Sequence, residues 1–187
     1  KVLLLLEMRF NDLKLGLKRD EVKLVPYDVE WKSEFDLVKQ EIRNHTNIEG
    51  DHIQHIGSTA IVGIMAKPIL DIVVGIDDIR NVEKIIITGF KKAGFLRLSV
   101  ERPSEVVFAK FADNTYEVKT HFVHLVEYDK ELWNNLIFFK NYLNLNENVR
   151  REYLNLKLDY VQNNSSGIGQ YTDHKEEFVK RIYAERR

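Results

Sequence analysis

An α+β, or mixed α/β, fold is predicted by three observations. Apolar residues recur at helical spacing around Trp31 and again beyond Asp129, while short apolar or alternating runs fill the stretch between Asp51 and Val126. Gly, Pro and Asp-Asn steps separate those runs, and no segment repeats another. The order is helix, strand, turn, strand, helix, several strands, then three helices, with a C-terminal helical subregion. A chain of 187 residues that is 44% hydrophobic is long enough for one sizeable core.

Each element has a local reason. The opening KVLLLLEMRF holds five apolar residues, Val2 to Leu6, too few to cross a bilayer, and it has no small-residue cleavage site. A short helix packed on the domain is expected there. Val22 to Pro26 reads as a short strand. Trp31, Phe35, Val38 and Ile42 then form one helical stripe, with Asp28 or Ser33 as a polar start. Asp51 to Ile56 and Ile69 to Ile76 read as strands on either side of a Gly-Ser turn. Asp77 and Asp78 are expected to cap a helix that runs to about Ala93 and stops at Gly94. Strands follow over Phe95 to Val100, Val106 to Phe111 and Glu117 to Val126, with Pro103 and Asp113-Asn114 as turns. The closing helices carry Leu132, Leu136, Phe139 and Leu143, then Val149, Tyr153, Leu156 and Tyr160, and, past the loop from Asn163 to Gly169, Tyr171, Phe178 and Ile182.

Charge and composition narrow the function. Lys and Arg total 28 against 29 for Asp and Glu, so the net charge of -1 gives no global attraction to nucleic acid or an anionic membrane. The absence of cysteine excludes disulfides, thiolate zinc and cysteine nucleophiles, and fits a cytoplasmic location. Basic pairs at Lys18-Arg19, Arg150-Arg151 and Arg186-Arg187 leave a nucleic-acid adaptor as the weakest reading.

The segment HIGSTAIVGIMAKPILDIVV, His55 to Val74, carries the chemistry. Gly57 lets backbone approach a ligand closely, and Ser58 adds a hydroxyl donor for phosphoryl oxygens. Asp71 stands at the head of a strand that reads as buried on both faces, where an acid serves either as a hydrogen-bond acceptor or as a ligand for Mg2+. Lys67 precedes Pro68, which restricts the backbone and aims the ammonium near the same mouth. The plain alternatives are a tight turn for Gly57-Ser58, a cap for Asp71 and a solvated lysine for Lys67. His55 shares a strand face with Ile53, so a hydrogen-bonded structural histidine weighs as much as a ligand contact. Along Val118 to Val126, alternation puts His124 with Thr120 and Phe122, and His121 on the other side, which argues against a zinc pair built from those two histidines.

HIGSTA followed by AKPILDIVVG closely resembles the GrpB family, also called UPF0157, within the nucleotidyltransferase superfamily. The likeness extends through VPYDVEW, the strand of His124, FFKNYL and YTDHKEEF. It implies a nucleotidyltransferase-like mixed β-sheet flanked by helices. Residues 1–21 would be an N-terminal helical extension, 22–129 the α/β core and 130–187 a helical region packed on it. In that superfamily a Gly-Ser pair is followed by two acids one residue apart. Here twelve residues, Thr59 to Leu70, separate Ser58 from Asp71, and Val73 stands where the second acid belongs. A further acid would come from Glu105, Glu117 or Glu127. The family tends to carry histidines two apart near His124, and this chain has Phe122 in the partner's place.

The resemblance implies catalytic roles for Asp71, as metal ligand, and Lys67. It implies substrate binding by His55, Gly57, Ser58, Thr59, Lys110, His124, Tyr171 and Lys175. For Lys110 and Lys175 a solvated helix or strand face weighs equally, and for Lys140 it prevails. The expected function is transfer of a nucleotidyl group from a nucleoside triphosphate to an unknown acceptor, with Mg2+ or Mn2+. The alternative, which Val73 favours, is an inactive nucleotide-binding or regulatory module on the same fold.

Overall fold

The computed structural model describes residues 14–163 and 168–186. The helix expected over the opening ten residues lies outside them. Of the proposed helical extension, the described part contributes a two-residue strand instead, β1 (Leu17–Lys18). Val22 to Pro26 forms no strand; Val25 makes a single bridge to Ala66, through Val25 N–H to the Ala66 carbonyl at 2.8 Å and the reverse at 3.0 Å.

Helix α1 (Glu30–His45) buries Trp31, Phe35, Val38 and Ile42, the predicted stripe. Asp28 accepts the Glu30 N–H at its start (2.9 Å), and at its end the Thr46 hydroxyl returns to the Ile42 carbonyl (2.8 Å). Strands β2 (Ile53–Ile56) and β3 (Leu70–Ile76) flank the Gly-Ser turn. Helix α2 (Lys84–Lys92) starts later than expected. The Asp78 carboxylate accepts from the Arg80 backbone N–H (2.9 Å) and guanidinium (3.2 Å), a local turn that uses the acid before a helix can begin. Strands β4 (Phe95–Arg102), β5 (Glu105–Phe111) and β6 (Val118–Glu127) follow, then α3 (Glu131–Leu145), α4 (Glu147–Asn163) and α5 (Ile168–Ala184).

The strands form one mixed six-stranded sheet in the order β2-β3-β6-β5-β4, with β1 paired to the start of β6. Only the β3–β6 pair among these is parallel; its register sets Asp71 opposite Phe122 and Val73 opposite His124. Pleat alternation then gives each face its character. Leu70, Ile72, Val74, Val123 and Leu125 join α1 and α2 in the main core. On the other face Val73, Ile56 and Val126 pack under Trp133 of α3. A third apolar cluster, around Phe139, Tyr153, Phe178 and Ile182, binds α3, α4 and α5 to Ile61 and Ile64 of the loop beyond the Gly-Ser turn. Asn144 fastens that loop, donating to the Ala60 carbonyl and accepting from the Val62 N–H, both at 3.0 Å. The C-terminal helices are thereby held over the start of β3, where Asp71 lies.

Candidate functional site

Trp133 covers the Val73 end of the sheet face, and beyond it the start of β3 opens into a cavity of about 150 Å³. It is lined by Gly57, Ser58, Lys67, Ile69, Asp71, Phe122, Tyr153, Tyr171 and Lys175. Four stretches of chain far apart in sequence converge here: the Gly-Ser turn, the segment entering β3, β6 and the pair α4–α5.

Gly57 sits against the carboxylate. Its backbone, at φ +69° and ψ -170°, is in a region essentially restricted to glycine. A Cβ there would stand 2.5 Å from Asp71 Oδ2. Behind the turn, His55 Nε2 and the Thr59 hydroxyl are 2.9 Å apart, and the His55 ring stacks on Phe35 with centroids at 5.1 Å. The stacking and the register of His55 with Ile72 put His55 on the α1 side of the sheet, where burial holds its pKa down at about 4 and the imidazole neutral. His55 and the buried Thr59 therefore buttress the turn and do not line the cavity. The Ser58 hydroxyl does line it, 3.3 Å from the Tyr153 hydroxyl of α4.

Asp71 faces His124, with Oδ1 3.6 Å from Nε2; His124 Nδ1 is 2.8 Å from Glu105 Oε2, and Glu105 is bonded in turn by Arg102. Burial would lower the His124 pKa, but the neighbouring Asp71 and Glu105 carboxylates outweigh that and push it up to about 9. For Glu105, burial would raise the pKa; His124 and Arg102 prevail and hold it at about 2. Asp71 follows the same logic, its burial outweighed by His124 and then by Lys67 and Lys175, so it is ionised. Of the three acids proposed to complete the set, Glu105 reaches Asp71 through His124, and Glu117 is exposed and pairs with Lys18 at 3.9 Å. Glu127 closes β6 opposite Ile76, at the far end of β3 from Asp71.

Opposite Asp71 stand lysines. The Lys67 ammonium lies 5.2 Å and that of Lys175 4.1 Å from the centre of the buried Tyr171 ring. Lys67 is fixed by its neighbours: Ala66 is bridged to Val25, and the Pro68 carbonyl accepts the Gly16 N–H at 2.7 Å. Behind them Lys157 is fully buried, donates to the Met65 carbonyl and lies 4.9 Å from the Tyr153 ring centre. Burial lowers all three, and repulsion from neighbouring lysines adds to it at Lys67 and Lys157: Lys67 and Lys175 fall to about 8, Lys157 to about 7. Burial also pushes the Tyr153 phenol up to about 12 and the Tyr171 phenol higher still, so both stay protonated.

The structure thus brings together Gly57, Ser58, Lys67, Asp71, His124, Tyr171 and Lys175. It leaves out Lys110, which pairs with His121 in the β5–β6 ladder on the α1 face; there His121 Nε2 is 3.1 Å from Glu34 Oε1. Sequence reasoning missed Tyr153, Phe122 and Lys157. The signal for Lys157 was present: it falls four residues after Tyr153 and three before Tyr160, on an otherwise apolar helical stripe.

Among the described residues no three His, Cys, Asp or Glu side chains form a metal-holding group. Val73, at the missing acid's position, is fully buried beneath Trp133, in an apolar cluster with Ile56 and Val126. The donor set still suits a hard cation in one way. Asp71 would be its carboxylate, and phosphate oxygens and water would supply the rest, as Mg2+ commonly accepts.

Comparison with known proteins bears on the family and the fold. The family model described as GrpB protein matches residues 21–185. The glutamate-rich protein GrpB of Alkalihalophilus pseudofirmus is 41% identical over 172 residues, covering 91% of this chain and 99% of the relative. The crystal structure of GrpB from Enterococcus faecalis superposes with a TM-score of 0.70 at 25% identity, covering 87% of this chain and 96% of that one. Cid1 poly(U) polymerase, solved bound to MgATP, shares the fold at TM-score 0.50 and 14% identity, over 73% of this chain and 43% of its own. With the polymerase-type nucleotidyltransferase fold, the matched span and a full-length relative in accord, the chain belongs to the GrpB protein family.

Proposed function

We propose that this protein binds the phosphate tail of a nucleoside triphosphate in the cavity between the Gly57-Ser58 turn and helices α4 and α5. The observation that carries the reading is a charge excess: Lys67, Lys157 and Lys175 gather about Tyr153 and Tyr171, with Asp71 the one acid lining the cavity among the described residues. Three partly or fully buried ammonium groups repel one another and are poorly hydrated, and a polyphosphate relieves both costs. The Ser58 and Tyr153 hydroxyls supply neutral hydrogen bonds at the same mouth.

Calorimetry with ATP, GTP, CTP, UTP and inorganic triphosphate, each with Mg2+ or Mn2+, tests it. Binding is expected, and Lys175→Met should weaken it by about tenfold or more, the value of one charge-assisted contact. The lysines are charged below about pH 8, so affinity should fall as pH rises from 7.5 to 9.5. Flat titrations with all five ligands would end the proposal.

A second reading, nucleotidyl transfer, is favoured by one feature: the Asp71 carboxylate is built into the Gly57 turn at the position the superfamily uses for a metal ligand. In such a reaction the lysines would neutralise charge developing on the transferring phosphate. A bound Mg2+ or Mn2+ would supply Lewis-acid activation. Incubation with α-labelled triphosphates and cell-extract acceptors decides the matter. Label transfer lost in Asp71→Asn selects the enzyme, and binding without transfer selects the nucleotide-binding module. Of the basic pairs behind the adaptor reading, Lys18 pairs with Glu117, Arg151 with Glu147, and Arg150 donates to the Leu143 and Asn144 carbonyls.

A further inference from the structure

Replacing the second acid by Val73 leaves β3 with one carboxylate, and the strand next to it supplies a different donor at the same level of the sheet. Val73 is the register partner of His124, and Asp71 that of Phe122, so the His124 imidazole rises from the neighbouring strand on the face that Asp71 uses. The two functional atoms, Asp71 Oδ1 and His124 Nε2, are 3.6 Å apart. That is too long for a good hydrogen bond, and shorter than two metal–ligand bonds of about 2.0–2.2 Å laid end to end. An ion held by both atoms fits in this gap, off the line joining them. The ring's other nitrogen, Nδ1, is engaged by Glu105 at 2.8 Å, and Glu105 is anchored by Arg102. A carboxylate behind a histidine is how proteins fix the tautomer that leaves Nε2 free to bind a metal.

We propose that Asp71 and His124 together form a mixed carboxylate–imidazole site for a divalent transition metal, with Glu105 as the residue that positions His124. The site deepens the triphosphate reading, because the ion's remaining positions would go to phosphate oxygens and water. Its donor set differs from that of a two-carboxylate clamp in a measurable way. Imidazole nitrogen favours first-row transition ions, while Mg2+ prefers oxygen. The site should therefore take Mn2+ at least about tenfold more tightly than Mg2+, with no nucleotide present.

The experiment is electron paramagnetic resonance of the full chain with Mn2+ alone at pH 8, with pulsed detection of nitrogen coupling. The expected result is one bound Mn2+ per chain showing coupling to a histidine ¹⁴N, displaced only by a large excess of Mg2+. His124→Gln should abolish the coupling, and His121→Gln, on the α1 face of the sheet beside Glu34, should leave it. Bound Mn2+ without ¹⁴N coupling in the unaltered protein overturns the proposal, as does absence of binding, or coupling that survives His124→Gln. Inorganic triphosphate binding measured in EDTA separates the two ideas. Its loss with the Mn2+ signal intact rejects the triphosphate reading alone, and the converse rejects the metal site alone.

Discussion

Gly57 and Asp71 stand so close across the β2–β3 turn that a side chain on the glycine would collide with the acid. An added Cβ would meet Asp71 Oδ2 at 2.5 Å and Asp71 Cβ at 2.9 Å, on a backbone that already stands at φ +69°. Gly57→Ala should therefore cost about 1–3 kcal/mol in backbone strain alone. It should also push the carboxylate out of the cavity. Gly63→Ala is the control: its φ is +80°, but nothing lies within 4 Å of the added carbon. Urea denaturation should show both variants destabilised, while Mn2+ and triphosphate titrations should show binding lost only in Gly57→Ala. Equal loss of binding in both would mean that the contact with Asp71 has no role in the site.

Glu105→Gln should reveal the Glu105–His124 pair through a pH-dependent stability difference, measured in EDTA. The Glu105 carboxyl is held at about 2 against an ordinary 4.5, so its contribution is present above about pH 4.5 and is lost as pH falls toward 2. His124 is raised from 6.5 to about 9, so its contribution is complete below pH 6.5 and is lost as pH rises through 9. The gap in unfolding free energy between native protein and variant should thus peak between about pH 4.5 and 6.5. A height of about 1.5–3 kcal/mol is expected for a hydrogen bond between charged groups. A gap that does not change from pH 3 to 9 would place the two groups apart.

Much of this was legible in the sequence, for identifiable reasons. The stripe Trp31-Phe35-Val38-Ile42 and the apolar run of β3 each have one period and one buried surface, so local pattern and tertiary packing agree. The Gly-Ser turn and Asp71 were visible because glycine and a lone acid on an apolar strand are locally anomalous. Alternation along β6 correctly separated His121 from His124, and the same rule applied to register would have removed Lys110, had the β5–β6 pairing been known. Strand pairing is not written in any one strand. For the same reason neither the alignment of Val73 with His124 nor the reach of Glu105 to His124 could be read in advance. Helix α2 was misplaced because Asp78 forms its own turn with Arg80, an interaction with the same residue signature as a cap.

Lys157 offers a test of the cationic cavity that does not rely on any ligand. Its ammonium is fully buried and donates to the Met65 carbonyl, and the charges acting on it are the like charges of Lys175 and Lys67. Burial and that repulsion lower it from 10.5 to about 7. Below pH 7 the folded protein bears the full cost of an enclosed charge. Between pH 7 and about 10.5 the folded form sheds its proton while the unfolded form keeps it, and the cost disappears. Lys157→Met removes the charge with little change in volume, though it leaves the Met65 carbonyl without its donor, a loss of about 1–3 kcal/mol. The variant's stability relative to native protein should accordingly be most favourable near pH 6 and should decline steadily toward pH 10. Thermal denaturation across that range checks it. A flat difference would mean that Lys157 titrates as an ordinary solvated lysine, and the charge excess assigned to the cavity would shrink to the pair Lys67 and Lys175.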